Sequence, residues 1–243
     1  MKITFTDTVG IIEDYYPTPA STNLPDWYKE LPSYTSATKR VNYQNTQNGT
    51  AKRCMPMFDM LCSGYLIYSF VDIFVSKVKT VTNGKEEITS HFQWPTTTFK
   101  KLSNLNPIEF HLKNQLPNYF KPTEDVVPKF VNPWGIKTPP GYSCLVSNPR
   151  GRDLPFTIFE GIVDTDTYSL PILLPFLLND VNFEGLIPAG TPIAQILPFK
   201  RDSWEMSMGS DKDDKKIIDD AVRLKAKFFD SYKNQFRQTK RYK

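Results

Sequence analysis

The chain has 243 residues, 40% hydrophobic and 23% charged, the balance of one soluble globular domain with appended elements. No run reaches the roughly 18 uncharged apolar residues that span a bilayer, and the opening MKITFTDTVG is polar where a secretory leader needs an apolar block, so we expect no membrane contact and a place in a cytosol or in a particle assembled there. The net charge of +4 is uneven, because Val222 to Lys243 holds eight cations against the single acid Asp230.

In chain order, a short strand is expected around Ile3 to Phe5, then one short helix in ASTNLPDWYKELP, capped at Asn23, with Pro25 in its first turn and Leu24, Trp27 and Leu31 on one face. Ser33 to Thr50, rich in Asn, Gln and Thr, predicts a surface excursion. RCMPMFDMLCSGYLIYSF predicts helical turns stopped at Ser63-Gly64 and a buried strand from Tyr65. Alternation through Asp72 to Val81, then Asn83-Gly84, then Glu87 to Trp94, predicts a tight hairpin.

Pro95 to Pro133 reads as loop, interrupted by Pro107, Pro117, Pro122 and Pro128. Strands are expected again at Tyr142 to Ser147, Phe156 to Val163, Pro171 to Leu178 and Ile193 to Phe199. SMGSDKDDKKIID supplies a cap and an acidic first turn, after which Ile217, Ala221, Leu224, Phe228 and Tyr232 form one apolar helical stripe that must dock on something. Twenty prolines, about 8% of the chain against the usual ~5%, cannot donate to sheet ladders and favour short strands and turns, so the fold class expected is mainly β.

Three cysteines, Cys54, Cys62 and Cys144, form no CxxC and support neither a disulfide framework nor a zinc site, so we expect them reduced and buried. His91 and His111 lack the neighbours of a metal triad and predict no metal. GxSxG and GxxxxGK are both absent. FVNPWGIKTPPGYSCL has two readings, a ligand groove or a core and rigid turn with Trp134 and Tyr142 packed around a proline corner, and the second is preferred.

The order Pro149-Arg150, GIVDTD (161–166) and AGTPIAQIL (189–197) resembles the motif order of the trimeric dUTPase and dCTP deaminase superfamily, over roughly Thr138 to Lys200. The resemblance implies a β-clip or jelly-roll-like core at 134–201, an N-terminal β-rich extension at 1–133 and a basic amphipathic helix at 202–243, assembled as a homotrimer. It also implies Asp164 as activator of the attacking water, Asp166 beside it, Tyr168 against the sugar, Arg150 and Gln195 on phosphates, and Mg²⁺ bridging those phosphates. Gly151 replaces the family's serine, Tyr168 is displaced by one residue, Pro192 deletes an amide, and the closing Gly-rich arm gives way to the basic helix. These departures favour loss of hydrolysis.

LPDWYKELP, RCMPMFDMLCSGY, FVNPWGIKTPPGYSCL, GIVDTDTY and IPAGTPIAQILPFKR together resemble a family of large tailed-bacteriophage proteins, cyanophages included, that carries no established catalytic residues. The resemblance implies a viral origin and a place in the host cytoplasm or the virion. The expected role is a non-catalytic structural or interaction protein, a virion component included, with particle proteins as partners and no cofactor. The rival is a nucleotide-binding or dUTPase-like hydrolysing protein, or one that sequesters nucleotides against host defence. The basic end keeps two readings, a solvated helix face or contact with nucleic acid or an acidic partner through Arg223, Lys227, Lys233, Arg237, Lys240 and Arg241.

Overall fold

A computed structural model describes residues 1–10, 15–35, 49–82, 85–95, 106–117, 126–225 and 231–242. The first strands and helices are β1 (Thr4–Asp7), β2 (Thr18–Pro19), α1 (Asp26–Glu30), α2 (Met55–Cys62), β3 (Tyr65–Tyr68), β4 (Ile73–Thr82) and β5 (Lys85–Gln93). The middle of the chain supplies β6 (Ile108–Leu112), β7 (Val126–Lys137), β8 (Tyr142–Ser147), β9 (Phe156–Ile158) and β10 (Gly161–Val163). It closes with β11 (Pro171–Leu178), β12 (Gly185–Ile187), β13 (Pro192–Lys200), α3 (Asp211–Lys225) and α4 (Ser231–Gln235). The fold is mainly β, every strand pairing is antiparallel, and a helix stands near the C-terminus as expected. Among the described residues no helix is long and apolar enough to cross a membrane.

Contacts group the chain into two units, Met1–Pro19 with Gly64–Arg201, and Ala20–Ser63 with Asp202–Lys243. The first unit holds three sheets: β1-β7-β11-β9 with β6 also on β7, β10-β8-β13-β3-β2, and β12-β4-β5. One buried cluster draws on all three, with Phe130 stacked on Phe176 at 4.1 Å and Phe156 edge-on to Phe130 at 4.8 Å. Gly161–Val163 and Pro192–Lys200 both pair with β8, so the two glycine-led segments lie in one sheet. Gly64 has φ 76°, and a Cβ there would sit 2.1 Å from the Ile196 carbonyl oxygen, so only glycine lets the chain enter β3 so close to β13.

The strand β7 overturns the loop expected up to Pro133. It tolerates Pro133 because its pairing with β11 is interrupted there, Gly135 facing Pro171 while Val131 faces Leu173; Pro128 lies opposite Phe110 of β6. In that bulge the buried Asn132 side chain stands in for a strand, accepting from Trp134 N–H at 3.1 Å and donating to Trp134 C=O at 3.0 Å. Trp134 is buried and meets Tyr16 edge-on at 5.1 Å, while its indole Nε1 makes no hydrogen bond.

Four further expectations need correction. The strand predicted through Phe156 to Val163 splits in two, β9 pairing with β11 and β10 with β8, because Phe159 N–H turns to Pro175 C=O at 2.8 Å while Asn148 holds Ile158 through both its backbone groups. Pro25 precedes α1 rather than entering it, and Tyr28, not Trp27, is the buried residue there. Cys54 is exposed, while Cys62 and Cys144 are buried as expected. The C-terminal stripe is not one straight helix face: Tyr232 belongs to α4, whose Ser231 and Gln235 side chains reach the Arg223 carbonyl at 3.5 and 3.4 Å, across 8 and 12 positions. The expected cap is present, with Asp213 accepting from Ser210 N–H and Oγ at 2.8 Å each. Asn83-Gly84, Phe228 and most of the 33–50 excursion lie outside the described residues.

Candidate functional site

Strand β8 lies between β10 and β13, with Val163 opposite Cys144 and Lys200 opposite Tyr142. The residues just past β10 and β13 are thereby brought to the start of β8, although Arg201 is 35 positions from Asp166. Arg201 N–H donates to Gly141 C=O at 2.8 Å. Its Nη1 reaches Tyr142 C=O at 3.2 Å, Ser143 Oγ at 3.0 Å, Asp164 Oδ1 at 3.2 Å and Asp166 Oδ1 at 2.9 Å, while Nη2 takes Asp166 Oδ2. Asp166 also accepts from Gly141 N–H at 2.8 Å, and Ser143 Oγ donates to Asp164 Oδ1 at 2.6 Å. One guanidinium therefore clamps the ends of three strands.

The two carboxylates differ in setting. Asp166 is 6% exposed and Asp164 61%. The Arg201 hydrogen bonds, then the Gly141 amide, pull the Asp166 carboxyl down to about 2, and Asp166 in turn raises Arg201. Between them the fully buried Thr165 packs inward, its hydroxyl 2.7 Å from Thr138 Oγ1 and 3.3 Å from Cys144 Sγ. Burial pushes the Cys144 thiol up. Thr167 and Tyr168 N–H both return to Asp164 C=O, at 3.1 and 2.8 Å, so 164–168 is a turn. Strand alternation does not govern where Tyr168 points, and its ring is half-exposed.

Arg150 and Gln195 sit elsewhere. Gln195 is buried opposite Ser147, at the far end of β8, and its side-chain oxygen accepts from Arg150 N–H at 2.9 Å. Arg150 Nη2 lies 3.4 Å from Ser147 Oγ. Ser143 and Ser147 are four strand residues apart, about 13 Å at the usual rise. Asp164, Asp166 and Arg201 therefore mark one end of β8, and Arg150 and Gln195 the other.

Within the second unit the basic residues are partly spent on Asp59. Arg237 grips it through Nη2 at 2.7 Å and Nε at 3.2 Å, Lys240 Nζ donates at 2.7 Å, and the Tyr242 hydroxyl also donates. Arg237 first, then Lys240 and Tyr242, hold the Asp59 carboxyl far below its usual range against the opposing effect of burial. Burial and Asp59 push Tyr242 up to about 12. Arg223 pairs with Asp220 at 3.3 Å and lies over the Phe236 ring, Lys233 and Arg241 are exposed, and Lys227 falls outside the described residues.

His111 Nδ1 faces Gln115 Oε1 at 3.3 Å, His91 lies on β5, and no three His, Cys, Asp or Glu groups converge among the described residues. The acids that would approach Mg²⁺, Asp164 and Asp166, already carry Arg201 as counter-cation, so this donor set does not fit a protein-held divalent ion. Reading by sequence missed Arg201, Ser143 and Asp59. An arginine directly after a predicted strand was the only signal for the first, and nothing local marks the others.

No protein-family model matches the chain, and no curated protein matches it in sequence. Among solved structures, a mutant dUTPase of Staphylococcus bacteriophage 80alpha with dUpNHpp is similar over 82% of this chain and 89% of its own, at 13% identity and a TM-score of 0.30.

Proposed function

We propose that the chain is a non-catalytic interaction protein built on a dUTPase-like β scaffold, a phage product whose setting is the virion or its assembly, and that it works as a homotrimer. The observation that carries this reading is the clamp: Arg201 is bonded to both Asp164 and Asp166, and Gln195 is used on the Arg150 backbone amide. Asp164 Oδ1 is already taken up by the Ser143 hydroxyl and the Arg201 guanidinium, and the buried Gln195 side-chain oxygen by the Arg150 amide, so neither atom is open to a water or a phosphate. An apolar contact surface is present on 202–210, where Trp204, Met206 and Met208 are each about nine-tenths exposed.

One observation favours the rival, a nucleotide-binding, sequestering or hydrolysing protein. Asp164 stays largely in solvent, and among the described residues its Oδ2 accepts no hydrogen bond. With Arg150 at the opposite end of β8, a single cleft would have to combine Asp164 of one copy with Arg150 of another. Incubation with dUTP and Mg²⁺, alongside light scattering, separates the two. The scaffold reading expects a trimer with no pyrophosphate release. Hydrolysis that disappears in Asp164→Asn, and returns when that variant is mixed with Arg150→Ala, overturns it. Detection of the protein in purified particles would support the virion setting, and its absence there would remove that setting.

A further inference from the structure

In the second unit, Leu24, Tyr28, Met55 and Phe58 floor a groove of about 460 Å³. Its rim is formed by Lys29 and Lys52 from the first part of that unit and by Lys233 and Arg237 from the last. Among the described residues that line it there is no carboxylate. We propose that this groove is a binding site for a phosphate-bearing organic anion with a flat or apolar body, a nucleotide in chemical class, distinct from the Arg201 clamp and independent of the scaffold reading.

Two of the four cations are held in place before any ligand arrives. Lys52 Nζ donates to Tyr28 C=O at 2.7 Å and Lys29 C=O at 2.9 Å, and it lies 4.9 Å from the Tyr28 ring centroid. An ammonium has three donors, so one remains for a ligand. Arg237 is fixed by Asp59 behind it and lies over the Phe58 ring. The other two are adjustable. Lys29 makes only an exposed pair with Asp26, of the kind that contributes little, and Lys233 forms no ion pair among the described residues.

The floor decides the ligand's body. Inorganic phosphate would leave Leu24, Met55 and the ring edges of Tyr28 and Phe58 uncovered, whereas a base or sugar buries them while its phosphate meets the rim. The volume falls within the range of about 300–1,000 Å³ usual for small-ligand pockets. A free nucleotide and a single-stranded nucleic acid share this chemistry.

The test is titration of the full chain with fluorescein-labelled oligo(dT), competed by dTMP, in Lys233→Glu and, as a control outside the groove, Lys215→Glu. Both lysines are exposed, and substitution should leave the fold intact, which circular dichroism would check. We expect salt-sensitive binding that Lys233→Glu weakens about tenfold or more and Lys215→Glu leaves within about twofold. Displacement by dTMP assigns the groove to a mononucleotide, and binding without displacement assigns it to the polymer. Absence of binding to either probe, equal loss in both variants, or displacement by an acidic peptide and not by dTMP overturns the proposal. Binding that survives Asp164→Asn but not Lys233→Glu belongs to this groove rather than to a cleft at the Arg201 clamp.

Discussion

Arg237 holds both carboxylate oxygens of Asp59 from 178 positions further along the chain. Arg237→Ala removes the two-pronged partner of Asp59 while Lys240 and Tyr242 remain, so it should lower the urea midpoint of the second unit without unfolding it. Asp59→Asn should cost more, and the double variant little more than Asp59→Asn alone, because all the bonds share one carboxylate. Urea unfolding followed by far-ultraviolet circular dichroism measures all three.

The same cluster sets two pH limits. The Asp59 carboxyl is depressed in the folded protein, so its contribution is complete above the unfolded value of about 3.9 and drains away as pH falls below it. Tyr242 is raised to about 12, so its contribution is complete below the unfolded value of about 10 and is lost as pH climbs toward 12. Melting temperature against pH should fall at both ends, and Tyr242→Phe should abolish the alkaline fall attributable to this group.

For the clamp, Asp166 titrates at about 2 when folded. Its stabilisation is present above about 4 and is lost on acidification toward 2. Arg201→Gln should return the carboxyl toward its ordinary value, read by carbon-13 chemical shift. The melting-temperature gap between the native chain and this variant should narrow from pH 4 to pH 2.

Two neighbours on β7 should behave oppositely. Trp134 Nε1 makes no hydrogen bond, so Trp134→Phe loses no polar contact and should cost within about 1 kcal/mol. Asn132→Leu removes the partner of two buried backbone groups and should cost about 2–4 kcal/mol. Equal costs in urea melts would contradict this account.

Gly64→Ala should destabilise by about 3 kcal/mol or more, combining a left-handed φ with a backbone clash against Ile196. Failure to express would agree, and a Tm equal to that of the native chain would not.

What the sequence made legible was local. Alternation on either side of Asn83-Gly84 marked β4 and β5, whose register ends with Thr82 facing Lys85, and β8 and β11 fell where their apolar runs do. Strand β7 was hidden because proline forbids a ladder donor; at the bulge the Asn132 side chain takes up the Trp134 backbone groups, and Thr8 N–H and Oγ1 donate to the Pro133 carbonyl. The site residues named from the motif order are all present, but spacing along the chain said nothing of which end of β8 each would reach. Arg201 became the partner of Asp164 and Asp166 through the order β10-β8-β13, a fact of topology.

The exposed stretch 202–210 joins β13 to a unit whose other half was made much earlier in the chain. A protease that nicks the stretch at Trp204 would cut the polypeptide without releasing the fragment, because Arg237, Lys240 and Tyr242 keep it tethered to Asp59. Two bands on a denaturing gel would then travel as one particle through a sizing column, and acid would part them.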